Sequence, residues 1–253
     1  MAGSGLTTAR SWDEIWGGSA RPWYHGLRSR LRSQVAWTDL LRRILDVPAR
    51  DAEVLELGCA PGSMIEQLHG MRPGHRYRGI DISRTGLELA RQRLAARGIE
   101  ADLRFGDMRD AEVPQADLVV SFGLVEHFTD PTEALRYHRR FVKAGGHVAV
   151  TVPNYSHPVV VRAMEWFSPE TLATHNLRIM STSALREALG AAGFTEVEVG
   201  ESGGPTLPNS RPRPGLAGTG YRFVARAWNV GSTVLPEKWP WSTHLWAVGR
   251  VDR

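Results

Sequence analysis

From Glu53 onward the chain alternates short apolar runs with patterns of helical period. Val54–Leu57, Tyr77–Asp81, Ala101–Phe105, Asp117–Phe122 and His147–Val152 are expected as strands. Asp117–Phe122 is nearly all apolar, as a strand buried on both faces should be. Between them, a helix starts at Ser63, and a second runs from a Ser83 cap to about Arg97 with Leu87, Ala90 and Leu94 on one face. A third opens at Pro131, carries Leu135, His138 and Val142 on one face, and is expected to close at Gly145–Gly146. This alternation predicts an α/β fold: a doubly wound, mostly parallel sheet with right-handed crossovers.

After Pro153 the rhythm breaks. Pro158 to about His175 reads as one or two helices punctuated at Ser168–Pro169, an insertion over roughly 154–180 that the sheet does not need. A helix bearing Leu185, Ala188, Leu189 and Ala192 follows, ended by Gly193. Phe194–Val199 and Leu245–Val251 bring the strands to seven, and the last two are expected to pair antiparallel at one edge. Between them lie a Pro/Gly-rich loop at about 201–220 and a helical stretch, Tyr221–Asn229. Residues 1–46 precede the sheet as a helical segment, with Leu27, Leu31, Val35, Leu41 and Leu45 as its stripe; residues 47–253 form the main domain.

The 253 residues suffice for one sizeable core, and 42% hydrophobic with 23% charged residues is an ordinary globular balance. No apolar run reaches the roughly 18 residues of a membrane span. The N-terminus lacks the apolar stretch of a secretory signal. A lone cysteine, Cys59, cannot make an internal disulfide, so a cytoplasmic protein is expected. The net charge of +4 is carried by arginine, Lys143 and Lys238 being the only lysines. Arg28, Arg30, Arg32, Arg42 and Arg43 lie beside an apolar helical stripe and read as a solvated face, weak support for a nucleic-acid surface.

The chemistry begins at "VLELGCAPGSM", Val54 to Met64. A strand runs into Gly58-Cys59-Ala60-Pro61-Gly62 and then a helix. Glycines let backbone approach a ligand, and the helix start offers free N–H groups. Alone, such a loop also suits a dinucleotide or a plain tight turn. Asp81 ends the second strand, where a carboxylate accepts both hydroxyls of a ribose. Asp107 follows the third strand, beside Met108, and Phe122-Gly123 leaves the fourth. Four strand ends thus place acidic, amide and apolar groups on one rim.

This set resembles the class I S-adenosylmethionine-dependent methyltransferases, closely over Val54–Val152 and more loosely through Ala192–Phe194 to the last strand. The resemblance implies that Glu56, Gly58 and Gly62, with Cys59 and Ala60, hold the methionine part of S-adenosylmethionine. Asp81 and Ile82 would hold the ribose, and Asp107 with Met108 the adenine, while Phe122, Gly123 and Trp16 complete the cofactor set. Here Ala60 replaces the family's middle glycine. The G-x-G-x-x-G spacing of the dinucleotide alternative is missing.

The family's motif for methylating base amino groups is absent after the fourth strand, which reads "SFGLVEHF". Cys59 is committed to the loop, and the lysine pattern of ribose methyltransferases is poorly met. "VEHF", Val125 to Phe128, is similar to the Glu-His motif of small-metabolite O- and N-methyltransferases. His127 is therefore the candidate catalytic base, with a helix-start hydrogen bond as its structural alternative. Relatives that bind a metal use Glu-x-x-Glu-His; Gly123 stands at the first glutamate, so no metal is expected. Trp23, Tyr24, His127, Asn154, Trp166 and His175 are expected to line a substrate pocket, and the tryptophan-rich start of the chain to form a lid. The expected partner is a small molecule, plausibly a bacterial secondary metabolite, methylated on oxygen or nitrogen. A homodimer is left open. The rivals are an RNA- or protein-modifying methyltransferase, and a cofactor-binding protein of this fold that does not transfer methyl, such as a cyclase.

Overall fold

Seven strands, β1 (Glu53–Leu57), β2 (Arg76–Asp81), β3 (Ala101–Phe105), β4 (Ala116–Phe122), β5 (Val142–Pro153), β6 (Thr195–Ser202) and β7 (His244–Arg250), form one sheet in the order β3-β2-β1-β4-β5-β7-β6, with β4 at its centre. The computed structural model describes residues 5–17, 32–46, 51–207, 215–232, 235 and 241–252. β2 (Arg76–Asp81), β3 (Ala101–Phe105) and β4 (Ala116–Phe122) are parallel to β1, with Leu57 opposite Ile80 and Glu56 opposite Val120. Chain order reverses between β1 and β4, which opens a crevice at their carboxyl ends.

Apolar strands fill both faces. On one side Val54, Leu118, Val120 and Ala149 pack against α2 (Arg32–Leu45), α3 (Ser63–Met71) and α4 (Arg84–Ala95) through Leu41, Ile65, Leu68 and Leu87. On the other, Leu55, Val119 and Val148 meet α5 (Pro131–Arg140) and α8 (Thr182–Ala191) through Leu135, Leu185 and Leu189. Ser83 caps α4 as the sequence signals, and Asp130 and Ser181 do the same for α5 and α8. Ser83 accepts from the Gly86 amide, Asp130 from the Thr132 and Glu133 amides, and Ser181 from the Ala184 amide.

One element departs from expectation. The helix at Pro131 ends at Arg140, and β5 (Val142–Pro153) already includes Gly145 and Gly146. The glycine pair sits at an irregularity of the β4–β5 ladder, where register shifts between Ala116 and Leu118. Four residues of β5, 143–146, stand there opposite the single residue Asp117, and so irregular a stretch needs backbone freedom, so the pair marks a bulge rather than a helix stop. β6 (Thr195–Ser202) and β7 (His244–Arg250) pair antiparallel at one edge of the sheet, as expected, with β7 between β5 and the outermost β6.

The insertion after β5 is two helices, α6 (Pro158–Phe167) and α7 (Pro169–Ala173), separated at Ser168. α9 (Leu216–Gly231) joins them: Phe167 stacks on Tyr221 with ring centres 4.5 Å apart, and Trp228 stacks on Trp241.

Candidate active site

The crevice holds a cavity of about 830 Å³, within the usual range of small-ligand sites. Its floor is the carboxyl end of the sheet. Glu56, Gly58, Ala60, Asp81, Ile82, Asp107, Met108, Phe122 and Gly123 all line it, as expected from the sequence.

Glu56 is buried at the end of β1. Its Oε2 has no hydrogen-bond partner among the described residues. Burial, with Asp81 nearby, pushes its pKa well up. A buried acceptor without a donor is costly, so this oxygen suits the ammonium of an amino-acid ligand. Asp81 is fixed by two backbone donors, Ala60 N to Oδ2 at 2.9 Å and Ser83 N to Oδ1 at 2.8 Å. It thereby joins the β1–α3 loop to the cap of α4. Burial raises its pKa against the opposing pull of these amides. Its remaining lone pairs are free for ribose hydroxyls.

Asp107 is already engaged. Arg109 forks onto both its oxygens and its own amide donates at 2.9 Å, which holds the Asp107 pKa below its ordinary value despite partial burial. Arg109 also lines the cavity, a neighbour the sequence reading passed over. Phe105, at the end of β3, carries the Arg84 guanidinium 3.8 Å from its ring centre and faces the same space.

Two members of the expected cofactor loop do not face the cavity. Cys59 is fully buried: a Cβ on Gly79 would fall 2.5 Å from its Sγ, so the thiol packs against β2. Burial drives its pKa up, and the thiol is inert. Gly62 has φ +80°, and a Cβ there would lie 3.0 Å from the Ala90 Cα and Cβ. It is the turn into α3 and the seam between α3 and α4. Pro61, Ser63 and Met64 line the cavity in their place.

α1 (Ala9–Gly17) roofs the crevice. Trp12 and Trp16 stack at 6.2 Å and both line the cavity. Trp16 rests on Gly86 of α4, where a Cβ would stand 2.6 Å from its Cδ1. Gly5 bridges Phe128 in antiparallel fashion, and the Leu6 amide donates to the His127 carbonyl at 2.7 Å. Trp12 meets the His127 ring edge-on at 5.0 Å.

His127 closes a 3-10 turn after β4, Val125–His127, and lines the cavity. Its Nδ1 lies 2.7 Å from the Thr174 carbonyl. A carbonyl only accepts, so Nδ1 carries the proton and Nε2 keeps its lone pair. Burial, then His175, lowers its pKa to about 4, so the ring is neutral at physiological pH. The His175 ring centre is 4.6 Å away, and its Nδ1 meets the Thr171 carbonyl at 2.6 Å. Glu126, behind them, is fully buried, and burial raises its pKa to about 8.

The remaining expected substrate residues scatter. Asn154 donates to Ser242 Oγ and accepts from Ser156, away from the cavity wall. Trp166 is 66% exposed and lies in an outer groove with Pro158, Val159 and Arg162. Its helix turns the opposite face, Val160 and Met164, inward. Trp23 and Tyr24 lie outside the described residues.

Comparison with known proteins agrees with this geometry. Residues 27–199 match the methyltransferase domain family. The methyltransferase GfsG of Streptomyces halstedii is 28% identical over 204 residues, 76% of this chain and 72% of that one. The ubiquinone biosynthesis O-methyltransferase of Alkalilimnicola ehrlichii is 32% identical over 104 residues, and this chain spans only 41% of its length. Among solved structures, the [4+2]-cyclase SpnF aligns with TM-score 0.64 at 17% identity, covering 100% of this chain and 97% of that one. The N-methyltransferase NodS of Bradyrhizobium japonicum, solved with S-adenosyl-L-homocysteine, aligns at 0.60 with 17% identity, covering 98% and 100%. Both structures share the fold. With a family match over most of its length and a strand-end rim built for that cofactor, the chain belongs to the class I S-adenosylmethionine-dependent methyltransferases.

Proposed function

We propose that this chain transfers a methyl group from S-adenosylmethionine to a hydroxyl oxygen, or less readily a nitrogen, of a small molecule, a bacterial secondary metabolite. The observation that carries the reading is His127: a neutral imidazole in the cavity wall, its Nδ1–H tied to Thr174 and its Nε2 lone pair unspent. The cofactor supplies an electrophilic methyl on a sulfonium. The chain's own work is then to hold that group, exclude water and receive the acceptor's proton. Glu56 Oε2 would take the ammonium, Asp81 the ribose hydroxyls, and Asp107 the adenine amino group. Met108 and Phe105 supply apolar contact. α1 would close the space with Trp12 and Trp16. The names of the relatives favour oxygen, since those of the ubiquinone and malonyl-carrier enzymes are O-methyltransferases.

Radiolabelled methyl transfer to a panel of hydroxylated and amino small molecules tests this reading. His127→Ala should cut turnover by about 10²–10⁴ on an active acceptor and leave S-adenosylhomocysteine affinity nearly unchanged. Tight cofactor binding with no transfer to any acceptor would move the chain to non-methylating chemistry on this fold. Transfer only to RNA, weakening steeply with salt, would favour a polymer substrate.

A further inference from the structure

We infer that Glu126, His127 and His175 form a binding site for one divalent transition-metal cation, of the zinc or cobalt class, in the wall of the cavity. The sequence argues against a metal because Glu126–His127 is only a pair. The fold adds the third group. His175 stands at the end of the inserted helices and is brought beside the 3-10 turn after β4, where Asn176 N donates to the Glu126 carbonyl and the Asn176 side chain to the carbonyls of Phe128 and Thr129. One ligand atom from each of the three residues lies within 4.8 Å of the other two.

Three further features separate this cluster from a chance gathering. Each imidazole has its Nδ1 on a backbone carbonyl, His127 on Thr174 and His175 on Thr171. That leaves Nε2 as the coordinating atom on both rings, oriented as metal-bound histidines commonly are by a carbonyl behind them. Glu126 Oε2 is buried and has no hydrogen-bond partner among the described residues, a cost that a cation would remove. Finally, two imidazoles and one carboxylate form the three-ligand set of open zinc sites, with a fourth position left for an oxygen ligand. His127 lines the cavity, so an oxygen of the acceptor can reach that position from there. Nitrogen-rich sets of this kind select later first-row metals over magnesium or calcium.

The inference rests on the proposed transfer for the acceptor alone and replaces the base role given there to His127. With the cation bound, the His127 lone pair is spent on it. A hydroxyl coordinated at the open position would then have its pKa lowered by the metal and would release its proton to water in the cavity, instead of to the imidazole, before its oxygen takes the methyl.

The test uses the full chain, treated with chelator, reloaded with one equivalent of zinc or cobalt chloride and desalted. Wild type should retain about one metal per chain by elemental analysis, and the cobalt form should show visible absorption of a tetrahedral or five-coordinate site. Glu126→Gln and His175→Gln should each lose at least tenfold in retention and lose the band. Calorimetry with S-adenosylhomocysteine should stay near wild type in both. Failure to retain metal, or equal retention in both variants, overturns the site. Because the cofactor titration uses none of the three ligands, a failed metal site and a failed methyltransferase reading give different results. If a glutamine variant proves unfolded by circular dichroism, His175→Ala replaces it, with the cobalt band as readout.

Discussion

Asp13, on α1, accepts a hydrogen bond from Ser83 Oγ at 2.6 Å and another from the Thr85 amide at 3.0 Å. Ser83 is the cap of α4 and receives the Gly86 amide at 2.9 Å, while its own amide rests on Asp81. One chain of contacts therefore runs from the roof helix through the cap to the carboxylate expected to hold the ribose. The Ser83 hydroxyl and the Thr85 amide hold the Asp13 pKa below its ordinary value. Asp13→Ala should loosen α1 without unfolding the domain. The expected signs are weaker S-adenosylhomocysteine binding by calorimetry and faster proteolytic clipping of the N-terminal segment. Unchanged clipping and affinity would mean that α1 does not depend on this anchor.

Asp81 serves two purposes, and its removal should show both. Asp81→Ala takes the acceptor from Ala60 N and Ser83 N as well as from the ribose hydroxyls. Two buried amides left unpaired cost about 1–3 kcal/mol each at most, so a drop in melting temperature should accompany the binding loss. The affinity for S-adenosylhomocysteine should fall roughly 5- to 150-fold. Asp81→Asn, which keeps one acceptor oxygen, should be milder on stability than on binding. Wild-type affinity in Asp81→Ala would remove this residue from the cofactor site.

Asp107 should matter less, since Met108 and Phe105 remain to hold the adenine. Asp107→Ala should cost about 1 kcal/mol, the worth of one hydrogen bond, or roughly fivefold in affinity. Arg109→Ala tests the competition, because it frees the Asp107 carboxylate from its fork. Cofactor affinity in Arg109→Ala should hold or rise. A larger loss in Asp107→Ala than in Asp81→Ala would exchange the roles of the two acids.

His138 makes a pH prediction for stability. It is fully buried on α5; its Nδ1 donates to the Ala134 carbonyl and its Nε2 accepts from Ser121 Oγ. Burial lowers its pKa to about 4, below the ordinary 6.5. A base whose folded pKa is depressed gives stability that is present above about 6.5 and is lost as pH falls toward 4. The difference is on the order of 3 kcal/mol. Chemical denaturation at pH 7, 5.5 and 4.5 should show this decline. His138→Gln should be less stable at pH 7 but fall less steeply on acidification. Parallel slopes in the two proteins would place the acid sensitivity on His127 and His244, whose pKa values burial also lowers.

The parts of the site that were legible in the sequence are those set by local rules. Gly58, Asp81, Asp107 and Gly123 lie at strand ends, where a two-residue period and a turn glycine fix both position and exposure. Cys59 was misplaced because the parity of one loop residue decides whether its side chain faces ligand or core, and that depends on Gly79 across the sheet. His175 was expected near substrate, but its meeting with Glu126 and His127 depends on how the inserted helices fold back. Asp13 escaped because no local pattern tells a roof helix which helix end it will meet. The Gly145–Gly146 pair misled for a similar reason. Glycines after a helical run signal a stop, and only pairing with β4 reveals a bulge.

Gly86 offers the sharpest test of that roof. It lies inside α4, where alanine would ordinarily stabilise the helix by about 0.5–1 kcal/mol. Here an added Cβ would stand 2.6 Å from Trp16 Cδ1 and 2.6 Å from Ala60 Cβ. The helix gains, but the roof and the cofactor loop must both give way, and such overpacking costs about 1–3 kcal/mol. Gly86→Ala should therefore lower S-adenosylhomocysteine affinity by about tenfold while the melting temperature without ligand changes little. Trp16→Ala removes one of the two obstructions, so the same substitution in that background should cost less than it does in wild type, a non-additivity typical of residues in contact. The quenching of tryptophan fluorescence expected on ligand addition should also shrink in both single variants. If Gly86→Ala binds the cofactor as wild type does, α1 does not rest on α4 in solution, and its tryptophans need another role.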